Sequence, residues 1–167
     1  MITIISGSNR EDNNTRKVAV EYQRILSEQN NEQAGIYALD EINGALRNDA
    51  FIKAEKELLI PSQKFIIIMP EYNGSYPGIL KMMIDNSDIK KCWAHKKVLL
   101  VGVSTGRAGN LRGMEHLTGV LLHMKMQVHH NRMPISIVDK LMNENGRFTD
   151  TNTLNSIQTQ LEEFLKF

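Results

Sequence analysis

The sequence predicts a three-layer α/β domain in which helices cover both faces of a five-stranded parallel sheet. Five short apolar segments alternate along the chain with segments of helical periodicity. The segments 2–6, 64–69 and 97–103 are almost entirely apolar, as is typical of central parallel strands that are buried on both faces. Strands that alternate with helices favour right-handed crossovers, and therefore a doubly wound sheet.

The individual elements follow from their patterns, and we expect one domain over residues 1–167. In the first helix, Val18, Tyr22 and Ile25 recur at helical spacing and should face the sheet. The last helix has the same amphipathic pattern, and Thr151 or Asn152 is placed to cap its start. The predicted strands are 2–6, 35–39, 64–69, 97–103 and 127–131, and the predicted helices are 15–28, 45–59, 79–87, 111–124 and 153–167.

The composition is that of an ordinary globular protein, with 41% hydrophobic and 23% charged residues. The formal net charge of +1 produces no field that would steer the chain onto nucleic acid or an anionic membrane. Four lysines flank Trp93, and such a group is more typical of a solvent-exposed segment at the start of a strand than of a nucleic-acid-binding patch. These lysines are Lys90, Lys91, Lys96 and Lys97. We therefore expect neither a nucleic-acid nor a membrane partner.

Cysteine content and the N-terminal segment point to the cytoplasm. The single cysteine, Cys92, excludes an intramolecular disulfide and a cysteine-based zinc cluster. Residues 1–5 run directly into a polar loop without the longer apolar core of a signal peptide. The longest apolar run, residues 65–69, is far shorter than the roughly 20 residues that span a bilayer.

The carboxyl ends of the predicted strands carry three unusual loops, and open α/β sheets bind ligands at this edge. The loop 6–15 combines hydroxyls, amides and one guanidinium ahead of a helix, which suits a phosphate, although a capped turn has the same composition. The loop 69–78 has two prolines and two glycines and offers Tyr72 or Tyr76 to a flat ring, or is simply a tight connection. With the loop 104–110, these segments outline one cleft.

Two motifs in these loops resemble the NAD(P)H-dependent FMN reductases, a flavodoxin-like group that includes quinone, azo-dye and chromate reductases. The stronger motif is Pro-Glu-Tyr-Asn at 70–73 with Ser75, then Pro-Gly at 77–78 and Leu-Lys at 80–81. The weaker motif is Gly-Ser-Asn-Arg at 7–10. The resemblance covers nearly the whole chain and implies a flavodoxin-like sheet of order 2-1-3-4-5, bound FMN, NADPH or NADH as co-substrate, and a homodimer or homotetramer.

The resemblance also implies the cofactor-binding residues, because in this family the first loop holds the FMN phosphate and the second lies along the flavin ring. Asn13 departs from the serine often found there, and the glycine pattern of the third loop is looser than in relatives. The residues carried over are Ser8, Arg10, Asn13 and Thr15 for the phosphate, Pro70, Glu71, Tyr72, Asn73 and Ser75 for the ring or ribityl chain, and Ser104 and Gly106 for the ring.

The implied reaction is hydride transfer from a nicotinamide to FMN and onward to a quinone, azo compound, metal oxyanion or free flavin. The alternative is a flavodoxin-type electron carrier without NAD(P)H activity, which the near-neutral charge disfavours because such carriers commonly use charge to steer partners. A phosphoacceptor domain would need an acidic cluster after the first strand, where Ser6, Gly7 and Ser8 stand instead. No catalytic side chain is demanded.

Several residues outside the loops have competing interpretations. His129 and His130 are adjacent in a predicted strand, so we expect them to point to opposite faces and not to chelate a metal together. Arg107 and Arg112 either meet a phosphate of the nicotinamide dinucleotide or face solvent.

Subunit contacts need exposed apolar side chains. Trp93, Tyr76 and the methionine-rich third helix are expected to supply them.

Overall fold

A parallel sheet of order β2-β1-β3-β4-β5 forms the centre of the computed structural model, which describes residues 1–167. The predicted strand order is therefore confirmed. Helices cover both faces, and no helix combines the length and apolarity needed to cross a membrane. The elements are β1 Ile2–Ser6, α1 Asn14–Asn30, β2 Ala34–Ala38, α2 Asp49–Ala54, β3 Lys64–Pro70, α3 Gly78–Asn86, α4 Ile89–Cys92, β4 Lys97–Val103, α5 Leu111–His123, β5 Gln127–Val128, β6 Met133–Ile135, α6 Val138–Leu141 and α7 Thr151–Lys166.

The fifth strand position differs from the prediction, because it is split into β5 and β6, which both pair with β4. His129 and His130 lie in the interruption, and their rings stack with centroids 4.5 Å apart. The prediction that they point to opposite faces was wrong, because side-chain alternation holds only within a continuous strand.

Two apolar cores lie on opposite faces of the sheet. One packs α2, α3 and α5 against the sheet, and the other packs α1 and α7. Trp93 belongs to the first core, is fully buried, and donates from Nε1 to Ser87 Oγ at 2.7 Å. The expectation that Trp93 forms a subunit contact was therefore wrong, because this ring fills the core. Lys96 is also buried instead of solvated, and its ammonium donates to the carbonyls of Leu59 and Ile60.

Two helix starts also differ from the prediction. The second helix begins at Asp49, because Asn48 accepts a hydrogen bond from Phe51 N and caps it there, and it ends in one π-helical turn over Glu55–Leu59. The last helix is capped by Asp150, which accepts from Thr153 N at 2.7 Å. Carboxylates and amides are strong N-caps, so the cap falls one residue earlier than predicted.

Candidate functional site

A cleft of about 660 Å³ lies at the carboxyl ends of β1, β3 and β4, within the size range of small-molecule sites. Its walls are the three loops at 10–15, 70–74 and 103–108, with Val138 of α6 at one side. The structure brings nine of the predicted site residues into this lining, but Ser8 and Ser75 are outside it. The nine are Arg10, Asn13, Thr15, Pro70, Glu71, Tyr72, Asn73, Ser104 and Gly106.

The start of α1 forms one end of the cleft. Asn13 caps this helix by accepting from Arg16 N at 2.7 Å, so its side-chain oxygen is already engaged. The N–H groups of Asn14 and Thr15 lie in the first turn, where the helix itself provides no acceptor. Together with the helix dipole, these donors make this end of the cleft suited to an anion.

Side-chain contacts join the first and second loops. The buried Ser8 hydroxyl lies 2.8 Å from the Tyr72 hydroxyl and accepts from Arg10 N at 3.3 Å. The Arg10 guanidinium lies over the Tyr72 ring, 4.0 Å from its centroid, and has no carboxylate partner. Ser8 therefore acts behind the cleft wall, whereas the donors of Arg10 remain available to an anion.

The second loop ends in a tight two-residue turn. Tyr72 and Ser75 exchange backbone hydrogen bonds of 2.9 and 3.2 Å, and both intervening residues have positive φ, at 52° for Asn73 and 76° for Gly74. Such a turn favours an Asn-Gly pair. Ser75 Oγ lies 2.9 Å from Nδ1 of His116 on α5, so Ser75 faces this helix instead of the cleft.

Asn110 is a structurally important residue that sequence reasoning did not single out. It is fully buried in a left-handed conformation, and its amide donates to Pro70 O at 2.8 Å while its oxygen accepts from Gly113 N. Its backbone N–H donates to Glu71 Oε2 at 3.2 Å. An asparagine before a helix signals a cap, but the contacts with Pro70 and Glu71 depend on the tertiary fold.

The third loop is held by its own hydrogen bonds and by close packing. Ser104 Oγ donates to Gly106 O and accepts from Gly109 N, both at 2.9 Å. The loop folds so closely onto β4 that a Cβ on Gly102 would lie 2.1 Å from Gly109 O. Arg107 extends from this loop into the cleft lining.

None of the five histidines lines the cleft. His116 contacts its outer wall through Ser75, and burial lowers the pKa of His129. Ligand atoms of His129, His130 and Glu163 lie within 4.8 Å of one another, away from the cleft lining. Asn131 already donates to both His129 Nδ1 and Glu163 Oε2, so two of these groups have partners inside the chain.

The chain is similar in sequence to one protein family and to several reductases of that kind. A family model described as NADPH-dependent FMN reductase matches residues 1–137. A 2-hydroxy-1,4-benzoquinone reductase from a Burkholderia species is 26% identical over 67% of this chain and 63% of its own. A quinone reductase of Escherichia coli (strain K12) is 31% identical over 71% of this chain and 65% of its own. The aligned part is thus slightly under two thirds of these relatives' length.

The fold is similarly shared with solved structures. FerB, a flavoenzyme NAD(P)H:(acceptor) oxidoreductase from Paracoccus denitrificans, superposes with a TM-score of 0.76 at 24% identity. The superposition covers 99% of this chain and 94% of FerB. This likeness concerns the arrangement of the strands and helices.

Proposed function

Because the chain belongs to the NADPH-dependent FMN reductase family, we propose that it binds FMN noncovalently in the cleft and uses NADPH or NADH to reduce a small-molecule acceptor. The observation that carries this proposal is the cleft itself, which joins a helix N-terminus and the unpaired Arg10 to a rigid second loop. Among quinones, azo compounds, metal oxyanions and free flavins, the names of the relatives favour a quinone.

The residues of the cleft fit the two ends of FMN. Arg10 and the N–H groups of Asn14 and Thr15 are suited to the phosphate, because charged donors and a helix N-terminus both favour an anion. The loops 70–74 and 104–106 are suited to the ring and ribityl chain, because Asn110 and the turn at Asn73–Gly74 hold their backbone in place. We propose that Ser8 and Ser75 support these loops from behind.

FMN, when bound, supplies the hydride and electron transfer chemistry, and the chain binds and orients the reactants. Alignment of the nicotinamide with the flavin is the main requirement. The cleft lining offers hydroxyls, amides, guanidinium groups and the carboxylates of Glu11, Asp12 and Glu71, but no histidine or cysteine. The proposed reaction therefore proceeds without an essential acid or base from a histidine side chain.

Rapid mixing of the FMN-loaded protein with NADPH or NADH tests this function. We expect bleaching of the flavin absorbance with either or both coenzymes, followed by reoxidation when a quinone is added. Steady-state plots against coenzyme and quinone should give parallel lines, because both substrates use the same site in turn. A protein that holds FMN but is not reduced by either coenzyme would instead be a flavodoxin-type carrier.

We also propose a cytoplasmic homodimer or homotetramer. The supporting observation is the exposure of apolar side chains on α3 and α5, where Met82 is 46%, Leu111 55% and Leu122 56% exposed. Light scattering at micromolar concentration measures the assembly, and a monomer would contradict it.

A further inference from the structure

Asn110 connects the second loop of the cleft to the third loop and to α5. It is the only buried asparagine of the chain, and it lies where the third loop meets the start of α5. Its side-chain amide donates to the carbonyl oxygens of Met69 and Pro70, at 3.3 and 2.8 Å, where β3 ends and the second loop begins. Its backbone N–H donates to Glu71 Oε2 at 3.2 Å. Three successive residues at the base of the second loop therefore contact one asparagine.

The surroundings of Asn110 leave room for this side chain and satisfy its polar atoms. A Cβ on Gly113 would lie 2.1 Å from the Asn110 Oδ1, and a Cβ on Gly102 would lie 3.1 Å from the Asn110 Cβ. The φ of Asn110 is 59°, in the left-handed region that asparagine tolerates better than most other residues. Its Oδ1 accepts from Gly113 N at 3.1 Å and caps α5, so both the oxygen and the nitrogen of the buried amide have partners.

The base and the far end of the second loop are held by different residues. β1 pairs with β3 only as far as Ile68, so the last two residues of β3 project beyond this neighbouring strand. On the other side, Glu71 N donates to Val103 O at 3.0 Å. The far end of the loop is held separately, by the contact between Ser75 and His116. The position of residues 70–72 in the cleft is therefore set by β4 and Asn110 together.

We propose that Asn110 is a positioning residue for flavin reduction, whose amide donors hold residues 70–72 where the flavin ring requires them. This inference rests on the proposed function, which assigns the ring to the second loop. Asn110 makes no hydrogen bond to the first loop or to α1, where the phosphate is proposed to bind. Its loss should therefore affect the ring half of FMN and not the phosphate. Such a change matters for the rate, because a misplacement of about 1 Å can cost about 10²-fold.

Fluorescence titration with riboflavin and with FMN separates this role from that of Arg10. Asn110→Gly, which is compatible with the left-handed backbone, should weaken the binding of both flavins by the same factor, about fivefold or more, the range for two lost hydrogen bonds. Arg10→Ala should weaken only the binding of FMN. Asn48→Gly is the matched control, because exposed Asn48 caps α2 through Phe51 N and is absent from the cleft lining. It should change both affinities less than about twofold.

A second variant, Asn110→Asp, separates the amide donors from the helix cap. Its ionised carboxylate can still accept from Gly113 N and cap α5, but it cannot donate to the carbonyls of Met69 and Pro70. We expect riboflavin binding at pH 8 to fall at least as much as in Asn110→Gly. Riboflavin affinity equal to that of the wild type in either variant would overturn the proposal, because Asn110 would then serve only the helix.

Single-turnover reduction of the FMN-saturated proteins tests the effect on the rate. Asn110→Gly should lower the limiting rate of flavin reduction about tenfold or more, and should change the coenzyme concentration that gives half this rate less than about threefold, because alignment is lost and coenzyme binding is not. A limiting rate equal to that of the wild type would contradict the positioning role. If neither coenzyme reduces the wild-type flavin, the proposed reductase function fails, while the titrations still decide whether Asn110 supports binding of the flavin ring.

Discussion

The cleft and the margin of the first core use arginine in opposite ways. In the core-side cluster formed by Arg47, Glu55, Asp88 and Cys92, Arg47 donates to both oxygens of Glu55, at 3.0 and 2.7 Å. Asp88 N donates to the same carboxylate at 2.8 Å. At the cleft, Arg10 contacts only the face of the Tyr72 ring and has no carboxylate partner. The Arg47 charge is therefore satisfied within the chain, whereas the Arg10 charge at the cleft has no ion-pair partner there.

The pKa shifts in the core-side cluster reflect these contacts with the Glu55 carboxylate. The Arg47 guanidinium holds the pKa of Glu55 below its ordinary value. Burial, reinforced by the negative charge of Glu55, raises the pKa of the Cys92 thiol to about 12. Because the thiolate is the reactive form, Cys92 is inert at neutral pH and has a packing role.

The largest expected effect is on stability and concerns Glu55. Glu55→Gln should lower the free energy of unfolding by about 2–3 kcal/mol, less than for a fully buried pair because Arg47 is partly exposed. Urea unfolding at pH 7 measures this loss. Glu57→Gln is the matched control, because Glu57 is exposed and has no ion pair in the same turn. Equal losses in the two variants would contradict the role of the cluster.

The pH dependence of stability sharpens this test. Since the folded-state pKa of Glu55 is lowered, its contribution is present above the ordinary glutamate pKa of 4.5 and is lost as the pH falls through the lower folded value. The difference between the wild type and Glu55→Gln should therefore shrink on acidification. A difference that stays constant down to acidic pH would count against the ion pair.

The second effect is on ligand affinity and concerns Arg10. Arg10→Ala should weaken FMN binding by about 1.5–3 kcal/mol, the range for a hydrogen bond to a charged group, with little change in the free energy of unfolding. Riboflavin, which lacks the phosphate, should bind the wild type more weakly than FMN and should not distinguish the two proteins. Fluorescence titration measures both ligands.

Lys17→Ala provides the control for the Arg10 variant. Lys17 is a nearby cation that pairs with Asp12 at 3.0 Å, so its removal should change FMN affinity by less than about twofold. Equal affinity of the wild type for FMN and riboflavin would refute the phosphate assignment.

The smallest expected effect concerns the histidines, which belong to neither region. Alanine at each of His95, His116, His123, His129 and His130 should leave the single-turnover rate of flavin reduction within about tenfold, because a lost general acid or base costs about 10²–10⁴-fold. His116→Ala is the most informative of these, because it removes the contact with Ser75. A thousandfold loss of the single-turnover rate in any variant that retains FMN would show that the replaced histidine takes part in catalysis.

The sequence by itself determined the central strands and the loops that follow them. β1 and β4 begin and end where the apolar runs predict, because burial on both faces of a parallel sheet demands such runs. The two prolines and two glycines of residues 69–78 marked the second loop as a tight connection, and the structure places its turn at Asn73–Gly74, where both residues have positive φ. These signals are local, so they can be recognised without knowing the fold.

Only the tertiary structure decided the break in the fifth strand, the burial of Trp93 and the role of Asn110. It also decided which arginines are paired: Arg47 and Glu55 are neighbours because a turn and a helix start bring them together, while Arg107 meets no carboxylate. Composition shows 20 basic and 19 acidic residues and so gives no indication of unpaired charge. Ion pairing depends on distances between side chains, and residues far apart along the chain acquire those distances only when the helices pack onto the sheet.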